Sequence, residues 1–397
     1  MFRVLINWRS ITRWAGLLVM LPGFSVLAAS PQDSQEIEEL RQLIEKQQRQ
    51  IEALADAVES GDFSSMASPT HIGGYGEMHY GDLDNGREMD FHRFVLFVSH
   101  AFSDSVSFHS ELELEHSIAG DGKPGEIELE QAYIQWDFAQ GHRLKSGLFL
   151  IPVGMINETH EPDVFYGVER NPVEKNIIPA TWWEGGLAFQ GELVPGWSYD
   201  LAVHSGLNLD TDNASVGKRT SIRSGRQKVG EANADSLAWT GRVKYTGTPG
   251  LEWSVSFQYQ EDLTQDDADG VGIDRIDATL LETHVAWQRG AFGLKTLYAA
   301  WYLDDAANLL TPGAETQKGW YVEPSWRFNP QWGVFARYSR YDLTAGDSAA
   351  SNEHSQMDLG VNFWLHERVV FKFDYQKQSV DAGTEVDGFN LGVGYSF

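Results

Sequence analysis

The sequence predicts an all-β protein: a sixteen-stranded antiparallel transmembrane β-barrel, preceded by a short α-helical coiled coil. Three observations carry this. The chain ends on strict alternation, with Phe389, Leu391, Val393, Tyr395 and Phe397 on one face and Gly388, Asn390, Gly392, Gly394 and Ser396 on the other. A period of two with one apolar face marks a strand between two environments. Sixteen alternating segments follow one another from residue 71, an even number. Their connections alternate between tight turns and longer loops, the asymmetry of a barrel that spans a membrane.

The N-terminus sets the compartment. Arg3, Arg9 and Arg13 flank and precede an apolar run from Trp14 to Leu21, followed by Pro22, Gly23 and Val26-Leu27-Ala28-Ala29-Ser30. Residues 1–29 read as a secretory signal peptide. The run falls short of the roughly 18 to 20 residues of a spanning helix. Residues 30–69 are expected to form a periplasmic coiled coil and linker. Ile37, Leu40, Ile44, Gln47, Ile51, Leu54 and Val58 recur at spacings of three and four, about three heptads. The alternative is a lone amphipathic helix on the barrel mouth. Gly61, Ser64, Ser65, Ser68 and Pro69 supply flexibility.

Residues 70–397 are the barrel domain. Its strands are expected at 71–81, 89–102, 105–117, 126–138, 142–151, 182–193, 196–207, 235–246, 250–261, 277–289, 292–303, 316–328, 331–343, 354–365, 368–379 and 385–397. Turns such as Ser103-Asp104, Val194-Pro195 and His366-Glu367 close the even-numbered segments, whereas odd-numbered ones lead into connections of up to thirty residues at 152–181 and twenty-seven at 208–234. That pattern places short turns and both termini in the periplasm.

Composition narrows the function classes. Fourteen Trp, fourteen Tyr and twenty-one Phe suit lipid contact and aromatic girdles. A net charge of −27, more negative once the signal arginines are removed, argues against nucleic acid. Cysteine is absent, which excludes disulfides and thiolate metal sites. No G-x-S-x-G, H-E-x-x-H or P-loop occurs. Asp262, Asp266, Asp267, Asp269 and Asp274 lack the ligand order of a calcium loop. No catalytic residue, cofactor or metal is assigned, and the chain does not read as an enzyme.

Charged residues on strands belong inside, because Arg or Lys at the lipid midplane costs about 2–4 kcal/mol. Phase then puts Trp183, Leu187, Phe189 and Leu193 outside with Glu184, Ala188, Gln190 and Glu192 inside. The pore-lining candidates are Arg93, Arg143, Lys145, Arg242, Lys244, Lys295, Arg327, Arg337 and Lys372. Acidic candidates form two rows: Glu111, Glu113 and Glu115 on the third strand, and Glu128 and Glu130, with Glu126, on the fourth. Ala132, Ile134 and Trp136 share the second row's phase, which predicts a bulge near Gln131 or a wall covered by the long loop. The rows read either as half of a charge-separated eyelet or as a wall cross-braced by basic residues. Loop 152–181 carries constriction candidates Glu158, His160, Glu161, Asp163, Glu169, Arg170, Glu174 and Lys175 among Phe165, Val168, Ile177 and Ile178. Polar and apolar content together predict a loop folded into the lumen; the alternative is an outer loop packed on its neighbours.

A terminal aromatic residue, here Phe397, resembles the end signal of bacterial outer-membrane barrels. With the run Gly147-Leu148-Phe149-Leu150-Ile151-Pro152-Val153-Gly154-Met155, the coil and the sixteen strands, residues 71–397 resemble the phosphate-selective porin O/P family. The resemblance implies a homotrimer in the outer membrane of a Gram-negative bacterium, surrounded by its lipid and passing small hydrophilic solutes or inorganic ions through a lumen narrowed by an inward loop. Phosphate selectivity in that family goes with an arginine ladder and a lysine cluster; here Arg242, Lys244 and Lys295 mix with glutamates. The expected function is therefore a passive porin, with anions such as phosphate as one solute class. The rival readings are an outer-membrane acyl hydrolase and a structural or adhesion barrel with a plugged lumen.

Overall fold

The computed structural model describes residues 68–211, 219–265, 275–305, 309–349 and 352–397. The expected signal peptide and coil lie outside the described residues, save Ser68 and Pro69. From Thr70 the chain forms β1 (Thr70–Leu83), β2 (Gly86–Ser103), β3 (Val106–Glu115), β4 (Ile127–Ala139), β5 (His142–Leu150), β6 (Trp183–Val194), β7 (Trp197–His204), β8 (Ala238–Thr248), β9 (Leu251–Gln260), β10 (Ile276–Arg289), β11 (Phe292–Asp305), β12 (Thr316–Trp326), β13 (Trp332–Asp342), β14 (Glu353–His366), β15 (Val369–Val380) and β16 (Gly388–Ser396). Each strand pairs antiparallel with its sequence neighbours, and β1 pairs with β16 to close the barrel. The seam runs from Tyr75 opposite Ser396 to Leu83 opposite Gly388. Phe397 fastens it, its N–H donating to Gly74 O at 2.9 Å and its carbonyl accepting from Gly74 N at 3.1 Å. Closure pairs the backbone of every strand, the condition for a sheet in hydrocarbon.

The wall is polar inside and apolar outside. On β9, Ser254, Ser256, Gln258 and Gln260 are fully buried while Trp253, Val255 and Phe257 are exposed. A water-soluble sheet would reverse this, so lipid is the outer solvent. The same phase exposes Leu187, Phe189 and Leu193 of β6, but Trp183 is buried. The expectation that Trp183 faces lipid is corrected: it sits at the strand's end, where its indole Nε1–H donates to Lys228 O at 3.4 Å. The phase conflict on β4 is resolved by a register shift, since Glu111 pairs Gln131 and Leu112 pairs Leu129, leaving Glu130 as the extra residue.

One end of the barrel carries the tight turns, the start of β1 and the end of β16; the other carries the long connections. Residues 151–182, between β5 and β6, leave that second end and fold into the lumen with one short helix, α1 (Val173–Asn176). The apolar core lies there, where Ile151, Val153, Val173, Ile177, Ile178 and Trp182 pack on Ala278, Leu280, Leu297, Ala299, Trp301 and Tyr321 of the wall.

Candidate functional site: a lumen narrowed by a loop

The inward loop is built around one carboxylate. Glu174 is fully buried. Its Oε2 accepts the backbone N–H groups of Met155 at 2.8 Å and Ile156 at 2.7 Å. Its Oε1 accepts the Tyr321 hydroxyl of β12 at 2.7 Å and the Asn171 amide at 3.2 Å. Gly154 is required beside it: φ is +78°, and a Cβ would stand 2.6 Å from Glu174 Oε2.

The loop tip then crosses to the far wall. Val168 N–H donates to Asp374 Oδ2 at 2.6 Å, and Lys372 Nζ to Gly167 O at 2.8 Å. Asn362 donates to Phe165 O at 3.2 Å, and the Ser396 hydroxyl to Asp163 Oδ2 at 2.8 Å. Gly392 and Gly394 of β16 leave the space that Val168 and Pro162 occupy. The small face of the last strand is thus the seat of the loop.

These ties sort the sequence candidates. Arg337 is buried, with Nε 3.0 Å from Asp358 and Nη1 3.3 Å from Glu323, and also donates to Glu169 O at 3.3 Å. Lys372 is buried over the Phe165 ring at 3.6 Å. Both are therefore corrected from open lining to braces beneath the loop. Arg327 follows β12, in an exposed turn, where it stacks on Trp364 at 4.1 Å rather than standing on the wall. Glu111, Glu113 and Glu130 are buried instead of facing water, because the loop lies on them. His160 Nε2 stands 3.4 Å from both Glu111 Oε1 and Glu130 Oε2. Burial alone would lower the pKa of His160; the two carboxylates outweigh it and raise it to about 9. Glu113 stands 3.5 Å from Arg93 Nη1, while Arg93 Nε is 2.7 Å from Glu77.

Other candidates line cavities on either side of the loop. Arg143, Lys145, Glu158, Arg242 and Lys244 surround about 590 Å³ towards the turn end. Arg242 is neutralised by Asp200 at 2.7 Å and by Glu158. Lys145 rests 4.8 Å from the Tyr133 ring, and Lys244 lies 3.8 Å from Glu252. Lys295 lines a neighbouring space of about 430 Å³. Glu161 is half-buried, its carbonyl accepting Val164 N–H at 3.2 Å. Glu128, with Glu126, pairs with Lys228.

Towards the long-loop end, a cavity of about 570 Å³ is lined by His79, His92, Glu169, Arg170 and Lys175. The same five residues continue into a narrow space of about 100 Å³, joined there by Arg93, Glu115, Thr181 and Arg223. Of the two spaces at this end it is the smaller. Arg170 Nη1 donates to Thr181 Oγ1 at 3.2 Å, Arg223 Nη1 donates to Lys175 O at 3.3 Å and to Ala180 O, and Arg226 Nη1 donates to Thr181 O. Every one of these acceptors is neutral. Among the described residues no carboxylate lies within ion-pair distance of the three arginines, and Arg170 Nη2 and Arg226 Nε are buried without a hydrogen-bond partner. Burial, then Arg226 and Arg170, lower the pKa of Arg223 to about 9, leaving it cationic at neutral pH. Three glutamates line the same space: Glu169 Oε1 binds His79 Nδ1 at 2.8 Å, Glu77 binds Arg93 Nε at 2.7 Å, and Glu115 acts on Arg223 and Arg226 from beyond ion-pair distance. Arg223 and Arg226 were not among the candidates. Their signal was a basic cluster, Arg219, Arg223, Arg226 and Lys228, inside an acidic chain.

A family model described as phosphate-selective porin O and P matches residues 73–390. A protein of Aquifex aeolicus is 28% identical over 356 residues, covering 82% of this chain and 79% of that protein. Among solved structures, an anion-selective porin from Comamonas acidovorans aligns with a TM-score of 0.59 at 12% identity, over 83% of this chain and 100% of that one. Salmonella typhi OmpF, in complex with daunomycin, aligns at 0.60 and 12% identity, over 83% and 97%. The outer membrane channel DcaP of Acinetobacter baumannii aligns at 0.57 and 10%, over 83% and 97%. At these identities the structures establish the shared fold.

Proposed function

We propose, from the premise that this chain belongs to the phosphate-selective porin O and P family, that it is a passive outer-membrane porin whose constriction favours small hydrophilic anions. The observation that carries the preference is the group Arg170, Arg223 and Arg226, bonded to neutral acceptors while the nearby Glu169 is engaged by His79. An anion there would take the place of missing partners for buried guanidinium N–H groups, which orient on oxyanions through a planar fork. The acidic candidates Glu111, Glu113, Glu128 and Glu130 are each within ion-pair reach of a basic side chain, which supports the cross-braced reading over the eyelet. Transport is electrodiffusion: weak binding at several places lets an ion enter and leave. No catalytic role is assigned. The working unit is a homotrimer joined through barrel walls in the lipid, with residues 30–69 as a periplasmic coil and 1–29 removed on export. The long-loop end faces the cell exterior.

Liposome swelling tests this reading. Reconstituted protein should admit gluconate faster than a neutral sugar of equal size, and the neutral sugar faster than glucosamine. The reverse order would overturn the anion preference.

A further inference from the structure

Two adjacent strands deliver two imidazoles and a carboxylate to one point on the wall of the long-loop cavity. Asp90 and His92 share the lumenal face of β2, two residues apart, and His116 follows the end of β3. His116 N–H donates to His92 O at 3.1 Å, which holds the two side by side. His116 and Ser117 then take φ values of +51° and +55°. Two successive non-glycine residues in the left-handed region are uncommon, and such geometry concentrates at functional sites. It turns the His116 ring towards the lumen: His116 Nδ1 lies 2.8 Å, and His92 Nδ1 3.1 Å, from the same atom, Asp90 Oδ2.

We propose that Asp90, His92 and His116 form a site for a divalent transition-metal ion of the Zn²⁺ or Ni²⁺ class. One ligand atom from each of the three lies within 4.8 Å of the others. In a tetrahedral site with bonds of about 2.0–2.1 Å, neighbouring ligand atoms are about 3.3 Å apart. The two nitrogen–oxygen separations, 2.8 and 3.1 Å, open by a few tenths of an ångström to reach that spacing, and all three side chains are partly exposed to the cavity. The metal replaces the imidazole protons that the shared carboxylate oxygen now accepts, and water from the cavity completes its shell. His79 supports the arrangement without joining it: its ring stacks on His92 at 4.6 Å while Glu77 and Glu169 hold both its nitrogens. Two imidazoles with one carboxylate select borderline ions over Mg²⁺ or Ca²⁺, which need oxygen ligands.

Isothermal titration of the full-length protein in detergent with ZnCl₂, and separately with NiCl₂, tests the site. One ion per chain should bind in the micromolar range, and MgCl₂ should give no saturable heat. His92→Gln with His116→Gln should weaken binding at least about tenfold, whereas His109→Gln, a change elsewhere on β3, should leave it unchanged. Should the double variant misfold, Asp90→Asn is the substitute and should weaken binding as well. No saturable heat from the wild type up to millimolar metal, or equal affinity in wild type and ligand variants, would overturn the proposal.

Discussion

Replacing Glu174 by alanine should release the inward loop while leaving the barrel closed. The carboxylate accepts two backbone N–H groups, from Met155 and Ile156, as well as the Tyr321 hydroxyl and the Asn171 amide. Each backbone N–H left without an acceptor costs about 1–3 kcal/mol, and losing a bond from Tyr321 to a charged group costs about 1.5–3 kcal/mol more. The total is about 3.5–9 kcal/mol before entering water offsets part of it. That exceeds what a single hydrogen bond such as Lys372 to Gly167 contributes, about 0.5–1.5 kcal/mol for a neutral pair and about 1.5–3 kcal/mol to a charged group. The barrel closes its own backbone bonds and does not depend on the loop. Single-channel recording should therefore show larger and noisier currents for Glu174→Ala, with circular dichroism still that of a β-barrel. Glu174→Gln keeps one acceptor oxygen and should fall between. A Glu174→Ala channel with wild-type conductance and noise would refute the reasoning.

Other expectations follow from the same geometry. His160, raised to about 9 from an ordinary 6.5, contributes its stabilisation fully below pH 6.5 and loses it as pH climbs through about 9; current noise should rise above that pH, and His160→Gln should show the same noise at pH 7. Phe397 is half-exposed, lies against Phe94 with ring centroids 6.2 Å apart, and ends the closing seam, so Phe397→Ser should lower the amount of protein inserted into membranes without altering the conductance of channels that do insert. Sedimentation in mild detergent should give a trimer, and deletion of residues 30–69 should weaken assembly while the barrel stays folded; monomers from the intact protein would count against the assembly.

Strand positions were legible because lipid and lumen impose opposite demands on alternate residues, as Val255 and Ser256 illustrate. The bulge at Glu130 was legible to within one residue, because an apolar phase cannot change sides without an extra residue. What alternation could not convey was which lumenal charges meet water. Arg337, Lys372 and Arg242 share the inward phase of open lining residues, yet acidic partners or the loop cover them. Those partners lie up to 205 positions away in sequence. Gly392 and Gly394 were visible as a small face, but their use as a seat depends on where Val168 and Pro162 come to rest. Arg223 and Arg226 were passed over because connections have no period to read; only their local excess of positive charge distinguished them.

The most direct test of the central claim is the reversal potential of single channels across a planar bilayer under a potassium chloride gradient. It should be made near 0.1 M salt, where charges act over about 10 Å. The wild type should favour chloride, and Arg170→Gln with Arg223→Gln should move the potential towards cation selectivity. Arg242→Gln with Lys244→Gln should move it the same way by less, because Asp200 and Glu158 already neutralise Arg242. A wild-type channel that favours potassium, or an unchanged potential in the Arg170 and Arg223 variant, would contradict an anion path through this constriction.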